Sequence, residues 1–294
     1  MANVLGIDHP LIAVEDIDAA RRSYEALGFS LRPTSQHPWG TSTVLAVFDQ
    51  QLLELVSIGD ASLLDDFSAG DFRFGRHVAH HLEQRQGVAL TALYSDDAEG
   101  DAAAVQERGG ECAGTIHFGR DVQTADGRAD RTSTTLKVFH RAGLERLTMF
   151  ACQQHRRDLI QNPAWMRHPN GVSGIASATI MAGDDEMHPV RKWLETLHGH
   201  EAEPTPWGFR VPTGRGSWRL VSRGRAGDLF GAMPEGLAAD GAPSVVSLDF
   251  RCEALGRINA LLTAGGFAHH VAGTGLVLTQ IDRLGGLLLT FQEG

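Results

Sequence analysis

Four times along the chain a strand-like run leads into an amphipathic helix that ends at glycine, and further strand-like runs follow. A repeat of this kind limits the fold more than any single motif, because each copy has an apolar face that only a neighbour can bury. The first copy is the clearest. Residues 6–14 read as a strand, and Asp16 is placed to cap a helix in which Ile17, Ala20, Tyr24 and Leu27 recur at helical spacing. Gly28 supplies a left-handed stop before Phe29, and strand-like stretches follow at 29–32, 42–48 and 51–57, the last two as a hairpin.

The second copy opens at 88–94, with Asp96 and Asp97 ahead of a helix near 102–108, a stop at Gly109 and Gly110, and a closing hairpin between 132 and 152. The third runs from 175–181 through Asp184, Asp185 and a first-turn Pro189 to a stop at Gly199, with strands near 208–211 and 218–221. The fourth has a strand at 245–250, a helix over 254–263, and the ending Ala264-Gly265-Gly266-Phe267, which echoes Ala26-Leu27-Gly28-Phe29. Copies spaced by roughly 70 to 90 residues form two pairs, so the chain reads as α+β, with four βαβββ modules in two domains, 1–170 and 171–294. The boundary is the turn Arg167-His168-Pro169-Asn170-Gly171.

Composition narrows the function classes. With 294 residues, 42% hydrophobic and 21% charged, the chain has the make-up of a soluble globular protein with a sizeable core, and no run is long enough to span a membrane. The formal charge of -10 and the lack of a basic stripe speak against nucleic-acid binding. Cys112, Cys152 and Cys252 are too few and too scattered for a disulfide framework or a CxxC zinc site, and the N-terminal residues lack a signal-peptide pattern, so a cytoplasmic location is expected.

Two polar residues stand where the strand pattern expects core. Alternation places Ile7, His9, Leu11 and Ala13 on one face of the first strand, and Leu52, Glu54 and Val56 on one face of the fourth. A carboxylate among apolar neighbours costs several kcal/mol if it stays ionised without a partner, so a metal ion, a cationic group or an aqueous cleft is expected beside Glu54. A mutually hydrogen-bonded His9–Glu54 pair without metal is the plainer alternative.

The βαβββ repeat, with His9 on a first strand and Glu54 on a fourth, resembles the vicinal oxygen chelate superfamily, which includes glyoxalase I, extradiol dioxygenases and bleomycin-resistance proteins. The segments Asp8-His9, His37-Pro38-Trp39-Gly40-Thr41, Leu53-Glu54-Leu55 and His168-Pro169-Asn170-Gly171 are similar to recurring words of its glyoxalase-like group, although Thr43 stands where similar sequences often carry Asn. The resemblance implies that paired modules curl their sheets into cups, with ligands from first and fourth strands meeting around a divalent metal. His9 and Glu54 match two such positions, and imidazole with carboxylate suits Fe, Mn, Ni or Zn. The matching position to His9 in the other copies is Leu90 or Thr91, Ser177 or Ala178, and Val246 or Ser247, none a good ligand.

Gln153 and His155, at the end of the second module, are therefore candidates to complete the metal set, with His168 a further one whose plainer role is a hinge hydrogen bond. Glu54 and His37 are the candidate catalytic residues, His37 as a group that orients Glu54 or the substrate. His77 and His81 share a helix face but lack the HExxH pattern, and as a connector segment they read as a solvated face. His269 and His270 are adjacent on a strand and point opposite ways, Cys152 reads as inert packing, and Gly214-Arg215-Gly216 lacks the context of a dinucleotide fingerprint. Two functions stay open: a metal-dependent lyase, isomerase or dioxygenase acting on a small oxygenated substrate, or a metal-free binding or resistance protein whose cup is lined by Trp39, Phe48, Phe150 and Trp165. The C-terminal pair carries no recognisable ligand set and can serve as a lid or a homodimer surface.

Overall fold

The computed structural model describes residues 5–124 and 127–294. Two eight-stranded sheets are built in the same order. The first runs Ser35–Gln36, Thr41–Val47, Leu52–Ile58, Gly6–Ala13, Gly87–Tyr94, Met149–Gln154, Thr134–Phe139, Cys112–Phe118. The second runs Glu203–Thr205, Gly208–Pro212, Ser217–Ser222, Val172–Ala182, Ser244–Cys252, Leu288–Glu293, Gly275–Leu278, His269–Ala272. In each sheet the two module-opening strands pair antiparallel at the centre, and each pairs in parallel with the last strand of its own module. This is the four-module, two-cup α+β architecture, with each sheet curled around its own interior.

The helices form where the local chemistry permits. Asp16 caps Ile17–Ala26 by accepting from the backbone N–H groups of Asp18 and Ala19, each at 2.9 Å, and Gly28 follows at φ +81°. Met187–His198 ends at the left-handed Gly199. The helix of the second module is capped by Asp97, one of the two expected caps, and starts at Ala98, earlier than the expected span near 102–108. The expected strand at 29–32 is reduced to a single bridge between Leu31 and Ala46, and the edge pairing is taken up by Ser35–Gln36.

One apolar core joins the outer faces of both sheets to these helices, bringing Ile12 and Tyr24 together with Ile175, Phe250 and Leu284. Tyr24 Oη donates to the carbonyl of Leu284 at 3.1 Å, and Trp193 Nε1 donates to that of Leu147 at 3.2 Å. The inside of each sheet is a separate apolar cluster. Each is plugged by the connector between its modules, through Phe74 and Val78 of the helix Phe74–Gln84 in the first half and Phe230 of Ala226–Phe230 in the second. The segment around His77 is thus a half-buried plug and not the solvated face its histidines indicated. Among the described residues no helix is long and apolar enough to cross a membrane.

The first strand departs from simple alternation. Ile7 and His9 pair with the consecutive residues Leu93 and Ala92, leaving Asp8 as an extra residue in a bulge. His9 opens into the cup with Leu11 and Ala13 beyond it, whereas Ile7 turns to the outer core, so the expected four-residue face begins at His9.

Candidate active site

Parallel pairing sets Leu11 opposite Glu54, which places His9 and Glu54 on neighbouring strands of the cup face. His9 Nε2 lies 3.3 Å from Glu54 Oε2, and His37 Nε2 lies 3.7 Å from Oε1. Thr43, on the same face of the adjacent strand, donates its hydroxyl to Oε1 at 2.6 Å. All four side chains belong to residues no more than 7% exposed. Among the described residues no Lys or Arg nitrogen comes within 4.0 Å of Glu54, so a buried carboxylate is met by two imidazoles and one hydroxyl without an ion-paired cation, and Arg120 acts on it from farther along the same cavity.

His37 is aimed by the turn that carries it. Its backbone N–H donates to the Thr41 carbonyl at 2.8 Å, and its own carbonyl accepts from Gly40 at 3.1 Å. Gly40 sits at φ +82°, and a Cβ there would lie 2.2 Å from the Asp60 carbonyl oxygen, so only glycine closes this turn. The imidazole stacks on Trp39 at a centroid distance of 4.6 Å, and Nδ1 meets Thr41 Oγ1 at 3.0 Å, which leaves Nε2 facing the carboxylate. Burial, with Arg120 and His9 nearby, holds His37 well below the ordinary imidazole value of 6.5, so the ring is neutral at neutral pH.

Asp8 stands behind His9. Its oxygen lies 3.3 Å from His9 Nδ1, an ion contact too poorly aligned for a hydrogen bond, and Arg157 Nη2 lies 2.6 Å from its other oxygen. Burial alone would raise the Asp8 pKa; His9 and Arg157 outweigh it and hold the group below the ordinary carboxylate range. Asp8 is therefore a carboxylate with its own cation, and Glu54 is not.

His9, His37 and Glu54 open onto a cavity of about 40 Å³ lined also by Trp39, Phe74, Phe118, Phe150 and Cys152. A volume of that size holds on the order of three waters, or an ion with its water. Beyond it lies an outer pocket of about 360 Å³, and Leu45, Arg120, Thr132 and Ile160 line both spaces.

The candidates from the last strand of the second module do not join this group. Phe150 and Cys152 face the cup while Met149 and Ala151 face the outer core, so Gln153 and His155 fall on the outer side. Gln153 is tied to the start of the helix Ala98–Glu107, accepting from Ala98 N–H at 3.1 Å and donating to the Asp96 carbonyl, and His155 Nε2 meets Thr135 Oγ1 at 2.9 Å. Neither lines the cavity; Gln154 does, and sequence spacing pointed to its neighbours. Arg120 and the donor role of Thr43 were likewise missed, since both depend on which strand lies beside which. Of the aromatic candidates, Trp39 and Phe150 line the inner cavity and Trp165 the outer pocket, whereas Phe48 packs in the outer core.

Four of the other candidate histidines have local partners, whereas Nε2 of the buried His81 has no hydrogen-bond partner among the described residues. His168 accepts from Ser30 N–H at 3.0 Å and donates to the Val47 carbonyl at 3.0 Å, pinning the turn between the halves. His77 meets the Ala89 carbonyl, His269 the Phe267 carbonyl and Asn259, and His270 the Phe230 carbonyl. Burial pushes the Cys152 thiol far up, so it is a packing residue.

Metal donors bonded at about 2.1 Å lie about 3.0–3.4 Å from each other around one ion. The His9–Glu54 separation falls within that span and His37–Glu54 just beyond it, so the donor set fits an open divalent site with His9 and Glu54 as ligands and His37 beside them. Among the described residues no group of three or more His, Cys, Asp or Glu is arranged to enclose an ion, so the closed, all-protein site is not built.

No curated protein matches the chain in sequence. Solved structures share the fold at low identity. A hypothetical protein from Staphylococcus aureus aligns with TM-score 0.68 at 13% identity over 99% of this chain and 100% of that one. A mutant 4-hydroxymandelate synthase from Streptomyces coelicolor aligns with TM-score 0.58 at 12% identity over 99% and 93%. The Mn(II)-bound glyoxalase from Novosphingobium aromaticivorans aligns with TM-score 0.54 at 12% identity over 100% and 83%. The family profile of the glyoxalase-like domain matches residues 7–198, which takes in the whole first cup together with the strand and helix that open the second half. The chain belongs to the glyoxalase-like domain family, within the vicinal oxygen chelate superfamily.

Proposed function

We propose that the first cup is the active site of a divalent-metal enzyme of the glyoxalase or dioxygenase type, acting on a small oxygenated organic substrate. The observation that carries this is the buried Glu54 carboxylate, which faces two imidazole nitrogens and, among the described residues, has no Lys or Arg within ion-pair distance. His9 and Glu54 would hold the ion, drawn from Fe, Mn, Ni or Zn. When bound, such an ion polarises a carbonyl, enediolate or catecholate oxygen. His37 is neutral and its Nε2 faces the same space, so it is the group placed to take or return a proton, while Thr43 fixes the carboxylate and the aromatic walls exclude water. A structural neighbour described as a Mn(II)-bound glyoxalase is in keeping with metal use on this fold.

A second reading, a metal-free binding protein, draws on the other half of the same cup. Leu11 pairs with both Glu54 and Leu90, and Ala92 pairs with both His9 and Phe150, so the twofold partners of His9 and Glu54 are Leu90 and Phe150. Element analysis separates the readings. Stoichiometric metal in wild-type protein, lost in both His9→Ala and Glu54→Ala, is expected for the enzyme. Protein that stays metal-free after incubation with Fe(II), Mn(II), Ni(II) and Zn(II) overturns it.

A further inference from the structure

The outer pocket holds two arginines without carboxylate partners. Arg120, at the neck shared with the inner cavity, donates from Nη1 to Ser35 Oγ at 2.8 Å, and no acid among the described residues lies within ion-pair distance of it. Arg32 lies over the Trp165 ring, 3.7 Å from its centroid, and also has no ion pair among the described residues. Among the described residues the one acid on the pocket wall, Asp121, is engaged by Arg131 at 2.5 Å. The rest of the wall is largely apolar, with Pro33, Leu45, Val47, Leu159, Ile160 and Trp165.

This arrangement runs against the chain as a whole. A protein of net charge -10 repels organic anions at long range, yet here two guanidinium groups line a concave apolar space with no ion-paired acid among the described residues, and the one acid that acts on Arg120, Glu54, does so from the inner cavity beyond ion-pair distance. Burying an unpaired guanidinium costs free energy, and the cost is recovered when a ligand supplies the missing oxyanion. The planar fork of a guanidinium matches a carboxylate in two parallel hydrogen bonds.

We infer that the outer pocket binds an organic acid, with Arg120 taking the carboxylate at the neck and the Ile160–Trp165 wall, flanked by Arg32, taking the apolar body. The assignment rests on the proposed function only in calling that acid the substrate. It places the reacting end of the molecule toward His9 and Glu54, because the neck is common to both spaces, and the inner cavity of about 40 Å³ is too small for anything but that end.

The test uses protein stripped of metal with chelator, so it reads the pocket whether or not the metal reading stands. Trp165 fluorescence is followed while isovalerate, benzoate and phenylacetate are titrated in parallel with their uncharged amides. Wild-type protein should bind at least one acid about tenfold or more tightly than its amide, the range set by a hydrogen bond to a charged group. Arg120→Gln should bring the ratio below about twofold. Arg120→Lys should keep part of it, and this variant decides the matter if the glutamine variant does not fold. Equal binding of acid and amide by wild-type protein, no saturable response to any acid at millimolar concentration, or a full acid preference in both Arg120 variants each overturns the assignment.

Discussion

The two cups share a backbone register and differ in what fills it. Their central strand pairs carry bulges at matching steps, between Ile7 and His9 and between Leu11 and Ile12 in the first cup, and between Ile175 and Ser177 and between Thr179 and Ile180 in the second. Superposing those steps sets Ser177 in the place of His9 and, through the parallel pairs, Arg219 in the place of Glu54. Across the twofold, Ser247, Asp249 and Thr290 replace Leu90, Ala92 and Phe150. Each cup floor thus holds one buried carboxylate, and the two are satisfied differently. Asp249 is fixed by Arg219 at 3.2 Å, by Ser177 at 2.5 Å and by Thr290. Glu54 is in contact with imidazoles and a hydroxyl, and Arg120 acts on it only from beyond ion-pair distance, which leaves room for a mobile cation to meet its charge. One cup floor carries a closed ion pair, with Arg219 in the place of Glu54 and Asp249 in that of Ala92, and the other an open ligand set.

The sharpest way to break this comparison is to remove the cation of the second cup. Arg219→Met leaves the 2%-exposed Asp249 without its partner and should destabilise the protein by about 3 kcal/mol in urea unfolding. Glu54→Gln, by contrast, keeps the Thr43 contact and should change stability by about 1 kcal/mol or less while abolishing metal retention. If the two substitutions cost the same, the carboxylates are equivalent and the contrast fails.

Acid should act on both halves. Burial lowers His81 and His198 to about 3, and His37 well below 6.5. Because these folded-state values are depressed, the unfolded chain takes up the protons first. Stability is therefore full above about pH 6.5 and drains as the pH falls toward about 3, at roughly 1 kcal/mol per histidine between pH 7.5 and 5.5. His198 accepts from Trp218 Nε1 at 3.0 Å, so His198→Gln keeps an acceptor and should remove about a third of that loss in urea midpoints. A flat midpoint across this range would mean that these rings are not buried neutral.

Thr43→Val sharpens the account of Glu54. It deletes the single hydroxyl donor to the carboxylate at nearly constant volume and should cost about 1.5–3 kcal/mol. Metal affinity should fall by about 10- to 100-fold, as for other groups that orient a ligand, when measured by competition with a chelator. Thr43→Ser should restore most of both. Full metal affinity in the valine variant would show that Glu54 is positioned by the imidazoles alone.

Much of this was legible in the chain because local chemistry announces it. Asp16, Gly28 and Gly199 mark helix ends through capping and left-handed backbone, and Glu54 stands out between leucines on a face that alternates cleanly. The rest depends on pairing that sequence does not carry. The bulge at Asp8 is invisible to a period-two count, which sets Ile7 on the cup face although it packs in the outer core. Thr43 and Arg120 reach the site from other strands and loops, and no local spacing links them to Glu54.

The smallest expected effect tests strand phase. Met149, Phe150, Ala151 and Cys152 are all buried, so hydrophobicity alone does not say which of them faces the cup, and one step separates Gln154 in the cavity wall from His155 outside it. His155→Ala removes a contact to Thr135 and should cost under about 1 kcal/mol, with metal content unchanged. Gln154→Leu, one residue earlier, alters the wall beside Cys152 and should shift ligand binding in the cup without altering the fold. If His155→Ala loses metal and Gln154→Leu does not alter ligand binding, the strand is turned by one residue. His155 would then stand on the cup face with His9 and Glu54, and the open donor set would gain its third protein ligand.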